Sequence, residues 1–210
     1  MKKLFILVFV MICASKIYSQ ADPGIEAAKR GDYVKAVDLL KPVVSKDDSY
    51  EAYYYYGLSL FKTGNMKLAE ENLLKAIKKD DEGVGALTAL GNLYSKQKDY
   101  DKANSYYKKA LKVEPENVDV LLAQAKSFTV AGKIDDALPV LALAKSLKSD
   151  DPNVYVGLGD AYYFRRAFSP AEENYNTALK LNPNNPKAHY GLAEIDFRNK
   201  DYTDALNQCK

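Results

Sequence analysis

From Ala21 onward the apolar residues recur at spacings of three and four, as in Leu87, Leu90, Gly91 and Tyr94, which is the stripe of an amphipathic helix. Two such stripes on either side of a short polar break make one period, and the period repeats along the chain. Ala36, Ala69, Ala103, Ala137, Ala171 and Ala205 are separated by 33 residues once and then by 34 four times. Three residues before each alanine stands a large apolar residue: Tyr33, Met66, Tyr100, Ile134, Phe168 and Tyr202. Twelve before it stands a small one: Gly24, Gly57, Gly91, Ala125, Gly159 and Ala193. The breaks Gly31-Asp32, Gly64-Asn65, Lys98-Asp99, Gly132-Lys133, Arg166-Ala167 and Lys200-Asp201 divide each period into two helices, and Pro115 and Pro183 end the second helix in two of them. Each period is therefore expected to be a helical hairpin. Small residues at fixed places let the two backbones approach, and the large residue beside the alanine fills the remaining space. Pro42 and Pro139 fall inside expected helices, and Pro139 is expected to remove a backbone bond and bend its repeat.

At these positions the chain resembles the tetratricopeptide repeat family from about Ala21 to Lys210. The third period carries the fullest set, with Leu87, Leu90, Gly91, Tyr94, Tyr100, Ala103, Tyr107, Ala110 and Pro115 at the family's signature places. The resemblance implies an all-α fold, a right-handed α-solenoid in which antiparallel helix pairs stack into a superhelix. It implies about six repeats over residues 20–210, the first and last incomplete, with stability close to a sum of neighbour interfaces.

The resemblance also places the first helix of each pair on a concave face. The residues this puts into the groove are Tyr54, Leu58, Phe61 and Lys62 in repeat two, Val156, Asp160, Tyr163 and Phe164 in repeat five, and Tyr190, Glu194, Phe197 and Arg198 in repeat six. Repeat one contributes Ile25 and Lys29, and the more polar middle repeats offer Thr88, Asn92, Ser95, Lys96, Lys126 and Thr129. The run Tyr53-Tyr54-Tyr55-Tyr56 sharpens the question of what the rings do. At about 100° per residue Tyr53 and Tyr56 share the core face, so Tyr54 and Tyr55 point elsewhere. Such rings either pack on a neighbouring repeat or meet a ligand; packing is the expectation for Tyr55, and ligand contact for Tyr54, Phe61 and Tyr163. Lys29, Lys62 and Lys96 occupy one place in three successive repeats, either as three solvated lysines or as a ladder for an acidic ligand. Some members of the family grip a chaperone's terminal carboxylate with Lys, Asn and Arg. Only Asn92 fits that set here, while Thr88 and Ala123 occupy places it would fill otherwise, so that activity is not expected.

Composition narrows the chemistry. The chain has 210 residues, 47% hydrophobic and 28% charged, with one histidine, two cysteines and no tryptophan. These leave little for a metal site or a histidine-based catalytic centre. His189 holds the leading bulky place of repeat six and Cys209 a core place. Gly157-Leu158-Gly159 lies within a helix with no strand before it and is a repeat signature. No catalytic residue, metal or cofactor is expected.

Residues 1–19 read as a secretory signal: Lys2 and Lys3, the apolar stretch Leu4 to Ala14, and a polar close before Gln20. About eleven apolar residues fall short of the ~20 that a membrane crossing needs. A lipoprotein reading at Cys13 has Met11 and Ile12 where small residues belong. Cleavage before Gln20 removes three lysines and no acid, turning the formal charge of +2 into one close to neutral, which gives no field for nucleic acid. It also leaves Cys209 as the only cysteine, so packing alone must supply stability. The expected protein is a non-catalytic scaffold of a bacterial cell envelope, periplasmic or associated with the outer membrane, with a peptide segment or partner protein in its groove. Two alternatives stand beside it: the recognition arm of a longer enzyme or transport component active beyond residue 210, and self-association through the last repeat.

Overall fold

The computed structural model describes residues 22–198, so the expected signal segment and the expected second helix of repeat six, with Ala205 and Cys209, lie outside the described residues. Among those described, eleven α-helices and no strands are present. They run α1 (Pro23–Lys29), α2 (Tyr33–Leu40), α3 (Tyr50–Lys62), α4 (Met66–Lys79), α5 (Val84–Lys96), α6 (Tyr100–Val113), α7 (Val118–Val130), α8 (Ile134–Leu147), α9 (Pro152–Phe164), α10 (Phe168–Leu181) and α11 (Pro186–Arg198). The chain forms two compact units, residues 1–86 and 87–210. In the first, α1 pairs with α2 and α3 with α4; in the second, α7 pairs with α8 and α9 with α10.

The turn inside each pair is built the same way five times. The second residue after the first helix has positive φ: Gly31 at 81°, Gly64 at 93°, Lys98 at 64°, Gly132 at 75° and Arg166 at 61°. Its N–H donates three residues back, and the next residue's N–H donates five back, as in Gly31 to Ala28 and Asp32 to Ala27. These two bonds close the orphan carbonyls of the helix end in a Schellman arrangement. Lys98 and Arg166 adopt a left-handed conformation that costs a side-chain-bearing residue ~1–2 kcal/mol, so the tertiary turn overrides local preference there. The following residue then starts the second helix. Asp32, Asn65 and Asp99 each accept a backbone N–H three residues on, whereas Lys133 and Ala167 provide no side-chain cap.

Packing within a pair rests on a residue four places after the repeated alanine. It meets a small residue 16 positions before it and, in the second unit, another 16 positions after it. Tyr175 lies between Gly159 and Gly191: a Cβ on Gly159 would fall 2.5 Å from Tyr175 Cε1, and one on Gly191 2.3 Å from Cζ. Tyr107 needs Gly91 in the same way, with 2.5 Å to Cε1. Leu141, which is shorter, faces Ala125 on one side and Gly157 on the other, where a Cβ would come within 2.7 Å. Leu40 and Leu73 meet Gly24 and Gly57 in the same way, with a Cβ falling 2.6 and 2.9 Å from their Cγ atoms, so leucine as well as tyrosine stands opposite glycine. The repeated alanines Ala36, Ala69, Ala103, Ala137 and Ala171 are all fully buried beside these contacts.

Two proline expectations resolve differently. Helix α2 stops at Leu40, so Pro42 lies outside any helix in the turns that follow, because its missing N–H cannot continue the bonding ladder. Pro139 does lie inside α8, which is assigned without interruption from Ile134 to Leu147.

Substituting Gly191→Ala should lower stability by about 1–3 kcal/mol in urea unfolding, and adding Tyr175→Leu should recover part of that loss because the shorter side chain leaves room for the methyl group. Purely additive losses would show that the two positions do not share one contact. Giving α10 the cap it lacks, by Ala167→Asp, should raise stability by about 0.5–2 kcal/mol, read as a higher urea midpoint at unchanged slope.

Candidate functional groove

Among the first helices of the second unit, α9 touches both α7 and α11. The 34-residue period puts equivalent residues of the three side by side, so the surface they share is banded. The first level is polar, with Asp119, Asn153 and Lys187. The next is apolar, with Leu122, Val156 and Tyr190. A charged level of Lys126, Asp160 and Glu194 follows, and the C-terminal level holds Val130, Phe164 and Arg198. A cavity of about 380 Å³ runs along α7 and α9, lined from Asp119 to Val130 on one and from Asn153 to Phe164 on the other, with Lys187 of α11 at its polar end. At its rim Phe164 is 56% exposed, and on α11 Tyr190 and Phe197 are each 64% exposed. Rings so open to water form apolar surface that core packing does not use.

Asp160 links the groove to the core. The Tyr175 hydroxyl, rising between the two glycines, donates to Asp160 Oδ1 at 2.8 Å. In repeat three the Tyr107 hydroxyl donates likewise to Asn92 Oδ1 at 2.9 Å. The residue after the small position is therefore an acceptor wherever the second helix brings tyrosine. Where it brings leucine, at Leu73 and Leu141, that place is held by Leu58 and Lys126. Burial raises the Asp160 pKa, and the Tyr175 hydrogen bond together with Lys126 and Lys187 offsets this only in part. Burial also raises the phenols of Tyr107 and Tyr175.

Several expected groove residues serve packing. Tyr54 is half-buried, stacked on Tyr50 with ring centroids 5.6 Å apart, and set against Gly85, where a Cβ would fall 2.8 Å from its ring. Tyr50 joins the same contact by accepting the Ala86 N–H at 3.2 Å, and burial pushes its phenol up to about 12. Phe61 is only 9% exposed. Phe61 is thus buried within its own unit, while Tyr54 keeps part of its ring exposed. Tyr55 is half-buried beside Tyr54, 4.8 Å between centroids, with the Lys29 amine 5.8 Å from its ring. Lys62 lies over Tyr33 and Phe61, at 5.9 and 6.0 Å. Lys29 also pairs with Glu26 at 3.1 Å, and Lys96 is exposed. Leu58 and Asn92 are half-buried. Tyr163 is held by Arg198, whose Nε donates to its hydroxyl at 2.9 Å while the guanidinium lies 5.4 Å from its ring. His189 Nε2 sits 2.8 Å from the Pro183 carbonyl oxygen.

Of the residues predicted for the groove, the structure gathers Lys126, Thr129, Val156, Asp160 and Phe164 around one cavity. It adds Asp119, Asn153 and Lys187, one turn nearer the helix starts, which the sequence pattern marked only through their shared 34-residue register. Among the described residues no group of three or more His, Cys, Asp or Glu side chains could hold a metal, and no helix is long and apolar enough to cross a membrane.

Comparison with known proteins agrees with this architecture. Two sequence profiles described as tetratricopeptide repeat match, one at residues 84–117 and one at residues 23–83 and 156–209. The type IV pilus assembly protein PilF of Pseudomonas aeruginosa is 25% identical over 168 residues, 79% of this chain and 67% of that one. The Hsp70-Hsp90 organising protein of Plasmodium falciparum is 28% identical over 118 residues, and this chain spans 56% of its own length and 47% of the relative's. The solved structure of the pilus protein superposes with a TM-score of 0.69 at 21% identity, covering 88% of this chain and 85% of that one. MamA of strain MSR-1 gives 0.62 at 25% identity, with 77% and 94% covered. The fold is that of the α-solenoid class.

The buried carboxylate supplies a pH-dependent test. Because the folded Asp160 keeps its proton to higher pH than the unfolded one, ionising it costs the folded state. That cost is absent below the usual carboxylate range and complete above the raised folded value. Asp160→Asn should therefore raise the melting temperature at pH 7, and the gain should vanish towards pH 3. A gain independent of pH would exclude burial of the charge as its cause, and a loss at pH 7 would show that the Tyr175 bond to the carboxylate dominates.

Proposed function

The chain belongs to the tetratricopeptide repeat family, and on that premise we propose that it is a non-catalytic protein-interaction scaffold of a bacterial cell envelope that takes a peptide segment of a partner into the groove of α7, α9 and α11. The observation that carries this is the cavity along α7 and α9, with apolar levels above and below a charged one and with Phe164, Tyr190 and Phe197 open to water beside it. A ligand that covers one such ring removes roughly 100–200 Å² of apolar surface from water at little conformational cost. The charged level and the polar end add direction, because a partner must match Lys126, Asp160 and Lys187 or leave them buried and unpaired. Binding then proceeds by matching surfaces, with no bond made or broken.

The envelope setting rests on the secretory character of residues 1–19 and on the likeness to a type IV pilus assembly protein. In residues 23–83 the rings of Tyr53, Tyr56 and Phe61 are buried, and those of Tyr33, Tyr50, Tyr54 and Tyr55 are half-buried.

Selection from a random peptide display library against the chain tests the proposal. The expected result is a set of related peptides whose affinity falls at least tenfold on Phe164→Ala, with circular dichroism unchanged. Peptides indifferent to Phe164→Ala but lost on substitution in α8 or α10 would place recognition on the opposite face and overturn it.

A further inference from the structure

The second helices of the second unit stand in the order α6, α8, α10. Lys133, just before α8, reaches Asp101 of α6 at 3.1 Å, and Arg165, just before α10, reaches Asp135 of α8 at 3.4 Å. Their exposed faces differ in kind. Beyond Asp136 in its first turn, α8 exposes Pro139, Ala142, Leu143 and Ser146, which share one face at helical spacing and carry no charge. Lys145 turns aside, its amine 5.3 Å from the Tyr155 ring of α9. Leu143 is 45% exposed, and Pro139 is the residue type least favoured inside a helix, so neither is there for the packing of its own repeat. At the places of Ala142, Leu143 and Ser146, α6 has the exposed lysines Lys108, Lys109 and Lys112. At the place of Pro139, α10 has Glu173, with Glu172 beside it, both exposed. The exposed charges of α6 are four lysines against Asp101, and those of α10 are two glutamates against Lys180. An uncharged strip thus runs between a basic flank and an acidic one.

We propose that a second copy of this chain covers α8, strip against strip. A face whose two flanks carry opposite charge is complementary to itself, which is what a twofold interface requires. The charges also choose the axis. Running roughly along α8, it sets α6 of each copy over α10 of the other, lysines on glutamates; running across α8, it would set lysines on lysines. The uncharged strip then forms the centre of the interface, where charge is depleted, and the two flanks form its rim. The area suffices: three helices of 14 residues, each ~21 Å long and ~10 Å across, offer ~600 Å² per copy, within the ~600–1,000 Å² per partner of specific interfaces. This surface belongs to repeat four and is distinct from the last repeat. It leaves the cavity along α7 and α9 open in each copy, so on the groove reading above the pair presents two grooves, and a partner with two matching segments gains from holding both.

Sedimentation equilibrium of the full chain without any peptide tests this independently of the groove. The expected result is a monomer–dimer equilibrium whose dissociation constant rises at least tenfold on Leu143→Lys, with circular dichroism unchanged. A charge exchange repeats the test without touching the apolar strip. Lys108→Glu with Lys112→Glu should weaken the dimer at least tenfold, because glutamates then face Glu172 and Glu173. Adding Glu172→Lys and Glu173→Lys to the same chain should bring the constant back to within about threefold of the parent. Tyr190→Ala with Phe197→Ala should leave it unchanged. A chain that stays monomeric up to its solubility limit overturns the proposal, as does a dimer indifferent to Leu143→Lys. A dimer lost on the Tyr190 and Phe197 substitutions but not on Leu143→Lys moves the contact to the last repeat and overturns it too. If the fourfold exchange stays as weak as the lysine reversal alone, the pairing of α6 with α10 is wrong.

Discussion

The structure depends on one contact made again in each repeat: a large side chain of a second helix seated against a small residue of a first helix. At Tyr175 the seat has two sides, Gly159 sixteen residues before and Gly191 sixteen after, and neither has room for a methyl group. The contact therefore binds the two helices of one hairpin and joins that hairpin to the next. Packing density leaves no slack at such a point, so the size of one partner dictates the size of the other. Leucine makes the same demand as tyrosine: a Cβ on Gly24 would fall 2.6 Å from Leu40 Cγ, and one on Gly157 2.7 Å from Leu141 Cδ2.

That contact also carries the core out to the groove. A buried tyrosine must place its hydroxyl somewhere, and both Tyr107 and Tyr175 place it on the residue that follows the small position, Asn92 or Asp160. A groove residue is thus fixed by a core residue fifteen positions away in sequence. Asp160 is ionisable in a setting whose burial opposes ionisation. A carboxylate kept where it costs the fold stability is a feature of binding surfaces, and here it lines the cavity together with Asp119, Lys126 and Lys187.

Much of the hairpin architecture was legible in the sequence because it follows from a fixed period. Among the described residues the alanines, the small residues and the breaks fall at the expected places, and Asp32, Asn65 and Asp99 within those breaks cap the helices that follow. What the one-dimensional pattern could not give was the fate of individual rings. Tyr54 and Phe164 both occupy first-helix positions assigned to the groove, yet Tyr54 packs on Tyr50 and Gly85 whereas Phe164 is open. The difference lies in what the adjoining repeat offers: a glycine there lets a ring lie down on the neighbouring helix. Lys98 and Arg166 show the same limit for the backbone, since nothing local marks them for positive φ; their position in the period does. Pro42 was misplaced because the stripe continues past the point where its missing N–H stops the helix.

The central claim is that this scaffold recognises its partner in the groove of α7, α9 and α11. It is tested most directly by backbone amide chemical-shift mapping of the full chain titrated with a peptide obtained by display selection. The account predicts shifts concentrated at Lys126, Val156, Asp160, Phe164 and Lys187, with residues 23–83 and the faces of α8 and α10 unmoved. Shifts confined to residues 23–83, or running along α8 and α10, would contradict it.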